Sequence, residues 1–279
     1  MEILRYAAFS SDPAGGNPAG VVLDATGATA AQMQAAATEL GYPETAFLTP
    51  KGGADFDVRY FSPKDEVPFC GHATIAAGVA YAQRHGTTTL RLTTNVGLVE
   101  LAASAAGTEP TATLTTVSPH IEDLATDDLE ELLACLRWAR DDLDPTLPPH
   151  VAFAGGFHPI IAAASRERLA KLDYDFDALT ALMTKHTWLT IDLVWRESAS
   201  VYYARNPFPV GGIVEDPATG AAAAAFGGYL RALELIDVPA RLTIHQGNDL
   251  GRPAIITVDV PADLSSGISV TGTAVAIVD

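Results

Sequence analysis

Apolar and polar positions along the chain alternate at two periods. Residues 3–9 and 20–23 are apolar runs of strand length. TAAQMQAAATEL (29–40) repeats its apolar residues at helical spacing and stops at Gly41. Strands are predicted next over 45–49 and 56–61. HATIAAGVAYAQRHG (72–86) reads as a helix of mostly small residues, closed by Gly86. TTLRLTTN and GLVELAAS, joined at Asn95-Val96-Gly97, predict a hairpin, and TATLTTV adds a strand. The second half alternates in the same way. DDLEELLACLRWARDDL (127–143) predicts one amphipathic helix and RERLAKLDYDFDALTALMTKH (166–186) another, with strands in HVAFAGG, PIIAAAS, LTIDLVWR and SVYYAR. An Ala-rich helix is predicted from Pro217 to about Leu235, because Pro suits a first turn and Ala is the best helix former. RLTIHQ, AIITVDV and ISVTGTAVAIV follow as strands.

Two echoes link the halves. PAGGNPAGVVL (13–23) is matched by FAGGFHPIIAA (153–163), and FCGHATIAAGVAYA (69–82) by DPATGAAAAAFGGYL (216–230). They occur in the same order at similar offsets, which predicts an internal duplication. The expected architecture is α+β: two pseudo-symmetric domains, each a sheet rolled around one thin central helix. The N-termini of those helices then carry Cys70-Gly71-His72 and Asp216-Pro217-Ala218-Thr219-Gly220. Unpaired N–H groups and a partial positive charge there suit a carboxylate ligand. A twofold relation between the halves would turn both toward one cleft.

Composition narrows the chemistry. With 279 residues and 48% hydrophobic positions, the chain has material for two ordinary domains. Its 17 basic residues against 34 acidic ones leave a formal charge of −17 and no basic patch for phosphates, so no nucleic-acid partner is expected. The cluster Arg166, Arg168 and Lys171, interleaved with Glu167, reads as a solvated helix face. The two cysteines, Cys70 and Cys135, are too few for a disulfide framework. The opening MEILRYAAFSSDPAGG lacks the basic and apolar regions of a secretory signal. No apolar run reaches the about 18 residues of a membrane span. A cytoplasmic protein with no membrane partner is therefore expected. No His-x-x-x-His, Cys-x-x-Cys, Gly-x-x-x-x-Gly-Lys, Gly-x-Gly-x-x-Gly or Gly-x-Ser-x-Gly is present, so no metal site and no nucleotide cofactor is predicted. His245 and Asp249 stand in a Gly-rich turn, HQGNDLGRP.

Three acid–base residues remain near tight turns. Glu44 lies in GYPETAFLTP, where it is an exposed loop acid or, if enclosed, a base whose pKa rises toward neutrality. His72 is a packed or capping histidine, or a proton carrier. Asp216 is a helix N-cap or a catalyst. Cys70, in an apolar turn, reads as a small buried residue before it reads as a catalytic thiol. Such a set can move protons and has no means of moving electrons or phosphates.

The stretches GGNPAGVVLDA (15–25), ETAFL (44–48), DVRYFSPKDEVPFCGHATIAAG (57–78), EDPATGAA (215–222) and QGNDLGRP (246–253) resemble the PhzF-like isomerase family of phenazine biosynthesis, in that family's order and from end to end. The resemblance implies the diaminopimelate-epimerase-like fold. One domain would comprise 1–117 plus a returning segment from about 265 to 279, and the other 118–264. It implies a homodimer without a cofactor, acting on a small carboxylate substrate. Glu44 matches the family's catalytic glutamate, and His72 and Asp216 match the residues that position substrate and relay protons. Gly71, Ala73, Thr219, Gly220 and Ala221 fall on its substrate-binding turns. The family's type reaction shifts a proton and double bonds on trans-2,3-dihydro-3-hydroxyanthranilate, in secondary metabolism. Two departures are visible. Ala221 stands where the family usually has Ser, which removes a hydroxyl worth about 1 to 3 kcal/mol in a closed site. His245 stands where an acid is common. Racemases of this fold use two facing cysteines; Cys70 falls at the first place and Pro217, which has no proton to give, at the second. The expected function is a cofactor-independent isomerase. The alternatives are an amino-acid epimerase or racemase by a non-cysteine route, and a non-catalytic small-molecule binding protein on the same fold.

Overall fold

A computed structural model describes residues 1–278. It divides into two units, one of residues Met1–Thr115 with the chain from Thr271 onward, the other Thr116–Val270.

The first unit contains β1 (Leu4–Ala8), β2 (Asn17–Val22), α1 (Ala30–Leu40), β3 (Glu44–Gly52), β4 (Asp55–Phe61), β5 (Glu66–Val67), α2 (Gly71–His85), β6 (Thr88–Thr94), β7 (Gly97–Ser104) and β8 (Thr111–Thr115). The second contains β9 (His120–Asp123), α3 (Thr126–Leu136), β10 (His150–Phe153), β11 (Phe157–Ala162), α4 (Arg166–Ala170), α5 (Phe176–His186), β12 (Asp192–Arg196), β13 (Val201–Pro207), β14 (Glu215–Asp216), α6 (Gly220–Ala232), β15 (Ala240–Gln246) and β16 (Ala254–Val260). The last strand, β17 (Ser269–Ala276), pairs antiparallel with β1.

Pairing in the first unit runs β1-β2-β3-β4-β6-β7-β8-β17 and returns to β1, a closed barrel. Closure removes sheet edges and leaves an interior that one helix fills. That helix is α2, packed on β1, β2, β3, β7 and β8, with every residue from His72 to Ala80 buried. Its small residues are required by the wall: a Cβ on Gly78 would lie 2.7 Å from Leu101 Cδ2 and 2.9 Å from Ala112 Cβ. α1 covers the outside, started by a Thr29–Gln32 capping box and stopped by Gly41 at φ 70°.

The second unit repeats the plan. Its pairing runs β9-β10-β11-β12-β13-β15-β16, and α6 packs on β9, β10, β11 and β16. Ala222 to Arg231 are all buried. Outside the sheet, α3 and α5 bury Leu129, Leu132, Leu133, Leu179, Leu182 and Met183 against Ile161, Leu193 and Trp188.

Several predicted boundaries shift. The helix expected over 127–143 ends at Leu136, because Arg137 turns left-handed (φ 56°) and Trp138 N–H closes back on the Leu133 carbonyl at 2.9 Å. Trp138 can then bury in the core, with the Arg168 guanidinium over its ring. The helix expected over 166–186 breaks into α4 and α5, because the Asp175 carboxylate accepts from Ala178 N–H and starts a new helix. Arg166 is not part of a solvated face: it binds the Asp249 carboxylate at 2.8 Å and covers the Tyr203 ring. The Ala-rich helix begins at Gly220, not Pro217, because Asp216 is in a strand and Thr219 is the N-cap. The two-residue strands β5 and β14 are too short for a periodicity argument.

Candidate active site

In the first unit, parallel pairing of β2 and β3 sets Glu44 opposite Ala19 at the start of β3. Cys70 is the N-cap of α2 in extended conformation, and its side chain makes no cap hydrogen bond. His72 lies in the first turn, where the barrel encloses it. The three side chains meet. His72 Nε2 is 3.4 Å from Glu44 Oε2. The Cys70 thiol donates to the same oxygen at 3.6 Å and stands 3.4 Å from His72 Nδ1. The Asn17 amide nitrogen stands 3.2 Å from the same ring nitrogen, Nδ1. Burial pulls the His72 pKa down to about 3, and a hydrogen bond to the Pro18 carbonyl only partly offsets it. The imidazole is therefore neutral at neutral pH, carboxylate neighbour notwithstanding. The turn is fixed from behind: Thr74 Oγ1 donates to the Cys70 carbonyl and meets the Tyr60 hydroxyl, both at 2.7 Å.

In the second unit, β14 holds Asp216 opposite Asn206 of β13. Thr219 Oγ1 donates to Asp216 Oδ2 at 2.6 Å. Gln246, buried at the end of β15, ties the whole turn. Its Nε2 donates to the Asp216 carbonyl at 2.8 Å and to Thr219 Oγ1 at 3.0 Å, and its Oε1 accepts from Thr219 N–H at 3.0 Å. Gly247 follows at φ 75°, where a Cβ would lie 2.3 Å from the Arg252 carbonyl oxygen and 2.7 Å from that of Pro217. Glu215, preceding Asp216, is buried in a two-pronged pair with Arg205 at 2.9 and 2.5 Å. Behind β14 lies a polar chain. His158 Nδ1 is 2.8 Å from Thr190 Oγ1, which donates to Asn206 Oδ1, and Asn206 Nδ2 donates to Asp192 Oδ1 at 3.0 Å. Burial lifts the Asp192 pKa to about 7, against the Asn206 hydrogen bond, and lowers that of His158 to about 3.

Glu44 and His72 are thus within contact of each other. Gly71 opens α2 and is partly exposed, whereas Ala73 is fully enclosed. Gly220 and Ala221 open α6 and are partly exposed, and the Thr219 hydroxyl is engaged by Asp216 and Gln246. Neither central helix has a side-chain cap at its N-terminus. Sequence reasoning missed Asn17 and Gln246, although both lie in motifs already singled out, and undervalued Cys70, which touches both Glu44 and His72. The residue types suggested no metal motif, yet candidate ligand atoms of Glu44, Cys70 and His72 lie within 4.8 Å of one another.

A duplicated α+β fold with Glu44, Cys70 and His72 gathered at the N-terminus of a barrel-enclosed helix defines a class, the proteins of the diaminopimelate-epimerase-like fold. The sequence profile of the family described as "Phenazine biosynthesis-like protein" matches residues 6–279. The chain is 33% identical over 285 residues to the uncharacterised isomerase YddE of Escherichia coli K12, covering 98% of this chain and 95% of that one. It is 30% identical over 281 residues to the trans-2,3-dihydro-3-hydroxyanthranilate isomerase of Pseudomonas chlororaphis, covering 96% and 94%. The crystal structure of a Bacillus anthracis phenazine biosynthesis protein of the PhzF family superposes with a TM-score of 0.89 at 26% identity, over 100% and 98% of the two chains. The protein belongs to the PhzF family and is an isomerase.

Proposed function

We propose that this isomerase works without a cofactor, moving a proton and a double bond on a small unsaturated cyclic amino or carboxylic acid. The observation that carries the reading is the contact of the Glu44 carboxylate with a buried, neutral His72, 3.4 Å from Nε2. Glu44 takes a proton from an sp³ carbon beside the unsaturated system. The electron pair left behind forms a new double bond, the old one shifts along, and the far carbon takes a proton back from the Glu44 carboxylic acid. No electrons are gained or lost, so no redox partner is required. Neutral His72 offers one donor and one acceptor, which suits it to hold a polar substituent beside Glu44. The first-turn backbone of α2, at Gly71 and Ala73, and by itself that of α6, at Thr219, Gly220 and Ala221, are each proposed as substrate-binding turns, since uncapped helix N-termini favour anions. Asp216, fixed by Thr219 and Gln246, is proposed to orient a second polar group. The wider reading is a homodimer serving the biosynthesis of a secondary metabolite.

The test is NMR of trans-2,3-dihydro-3-hydroxyanthranilate in D₂O with wild type and Glu44→Gln. Double-bond migration with deuterium uptake by wild type alone is expected. Migration at equal rate with the variant would remove Glu44 from the role of base. Exchange with inversion at a single carbon, without migration, would replace the reading with epimerisation.

A further inference from the structure

We propose that Asn17 is a positioning residue: its side-chain amide donates to Nδ1 of His72, holds the ring as the Nε2–H tautomer, and so turns the imidazole proton toward Glu44. Gly16 delivers Asn17 to this place. It sits at φ 56°, where a Cβ would lie 2.2 Å from the Ala8 carbonyl oxygen and 2.9 Å from Ser10 Cβ, so only glycine fits the turn. Asn17 then opens β2 opposite Ala8, fully buried, on a strand that packs against α2. Its Nδ2 stands 3.2 Å from His72 Nδ1.

An amide NH₂ can only donate, so the ring nitrogen opposite it is the unprotonated one. Burial keeps the ring neutral, with a pKa of about 3, and a neutral imidazole carries its single proton on the other nitrogen. That nitrogen, Nε2, is 3.4 Å from Glu44 Oε2. The tautomer therefore presents a donor to the carboxylate, as the Cys70 thiol does at 3.6 Å. Donors of this kind favour the ionised form, the form that can accept a proton from carbon. The reversed tautomer would set a lone pair against Oε2 and favour the protonated acid, which is no base. At 3.4 Å the contact is long, so the same N–H stays available to a polar substituent of the substrate. The tautomer follows from the Asn17 contact alone; its consequence for catalysis rests on the proposed function.

Nitrogen-15 NMR of the histidine rings in the full-length protein at neutral pH tests the assignment. His72→Asn identifies the His72 signals among those of the seven histidines. In wild type, Nδ1 should resonate far downfield as an unprotonated, pyridine-type nitrogen, and Nε2 upfield as a pyrrole-type N–H. Glu44→Gln should leave this pattern unchanged, because a glutamine amide can face either tautomer and Asn17 still decides. Asn17→Asp has the same shape but only accepts, so Nδ1 should gain a proton, as the reversed tautomer or as an imidazolium. Either one leaves Glu44 a poorer acceptor, so kcat for deuterium uptake by trans-2,3-dihydro-3-hydroxyanthranilate should fall at least about tenfold, with KM within about threefold. Circular dichroism checks folding, and the wild-type and Glu44→Gln spectra decide the tautomer even if the Asp variant does not fold. A pyrrole-type Nδ1 in wild type overturns the proposal. So does a pattern that reverses or mixes in Glu44→Gln, since Glu44 would then set the tautomer. An Asp variant with a protonated Nδ1 and unchanged kcat overturns the positioning role. The expected wild-type pattern without deuterium uptake refutes only the proposed function, and uptake with a pyrrole-type Nδ1 refutes only the part given to Asn17.

Discussion

Gln246→Leu isolates the device that holds the Asp216 turn. Gln246 is 1% exposed and makes three hydrogen bonds, two to Thr219 and one to the Asp216 carbonyl. Leucine has a similar shape, so the cavity term is small and the loss is polar. A net hydrogen bond contributes about 0.5–1.5 kcal/mol, and leaving its buried partner unpaired costs about 1–3 kcal/mol. Taking about 1 kcal/mol for each of the three bonds gives about 3 kcal/mol. At about 2–4 °C per kcal/mol for a domain of this size, the unfolding midpoint should fall by about 6–12 °C. Differential scanning calorimetry reads the shift, and steady-state kinetics on the NMR substrate read its consequence for Asp216. Gln246→Glu adds a readout that simple destabilisation does not move. Its carboxylate still accepts from Thr219 N–H but offers no donor to the Asp216 carbonyl. Burial without a cation raises the folded pKa of such a group, so its contribution is present below the unfolded pKa and is lost as pH rises. The Glu variant should therefore approach wild type on acidification, and the Leu variant should not. A Leu variant melting within about 2 °C of wild type, with kcat/KM within about twofold, refutes the assignment of Gln246 as the support of this turn.

Three further predictions follow from single contacts. Asp192 holds a proton in the folded state up to about pH 7, well above its usual 3.8, so its stabilisation is present at low pH and is lost as pH rises through that window; buried His158, with pKa about 3 against 6.5, has the opposite sign and loses stability as pH falls below 6.5. The two partly cancel in wild type, so Asp192→Asn should make stability fall more steeply on acidification from pH 6.5 to 4, by up to about 1.4 kcal/mol per pH unit; urea unfolding at both ends checks this, and an unchanged slope refutes it. Gly78→Ala should cost about 1–3 kcal/mol, because its Cβ would lie 2.7 Å from Leu101 Cδ2 inside the barrel; a midpoint shift within error would refute the close-packing account of α2. Ala221→Ser adds a hydroxyl at a partly exposed position in the first turn of α6 and should raise kcat/KM for trans-2,3-dihydro-3-hydroxyanthranilate about tenfold; an unchanged kcat/KM refutes a part for a hydroxyl there.

The alternation of strand and helix, the small-residue helices and the duplication were legible in the sequence because each leaves a periodic or compositional trace. The trace fails at two helix boundaries whose causes are local cap contacts rather than periodicity. Trp138 N–H closes back on the Leu133 carbonyl five residues earlier, and Asp175 caps a new helix at Ala178, three residues on; apolar spacing carries neither signal. The site was legible as residue types at turns, and Glu44 and His72 do meet. The contact of Cys70 with Glu44 was not, since β3 brings the carboxylate to the thiol from 26 residues earlier in the chain. Gln246 was hidden for the same reason: its partners lie 27 and 30 residues away along the chain.

Register shows what the duplication became. The order β1-β2-β3-β4-β5-α2-β6-β7 reappears as β10-β11-β12-β13-β14-α6-β15-β16, with the same parallel and antiparallel steps. In the parallel pair of each half, the strand after the shared proline opens with an acid: Glu44 opposite Ala19, and Asp192 opposite Ile160. One residue before those prolines stand Asn17 and His158. The equivalent acids then diverge. Glu44 keeps contact with solvent beside neutral His72. Asp192 is 2% exposed, is hydrogen-bonded by Asn206, and is lifted to a pKa of about 7. Two-base inversion at one carbon needs a proton acceptor and a proton donor of matched access, and a sealed Asp192 cannot be the second of them. One accessible carboxylate is instead suited to collecting a proton and returning it to another carbon. The loss of symmetry between Glu44 and Asp192 leaves Glu44 as the solvent-accessible member of the equivalent pair and Asp192 as a sealed structural acid.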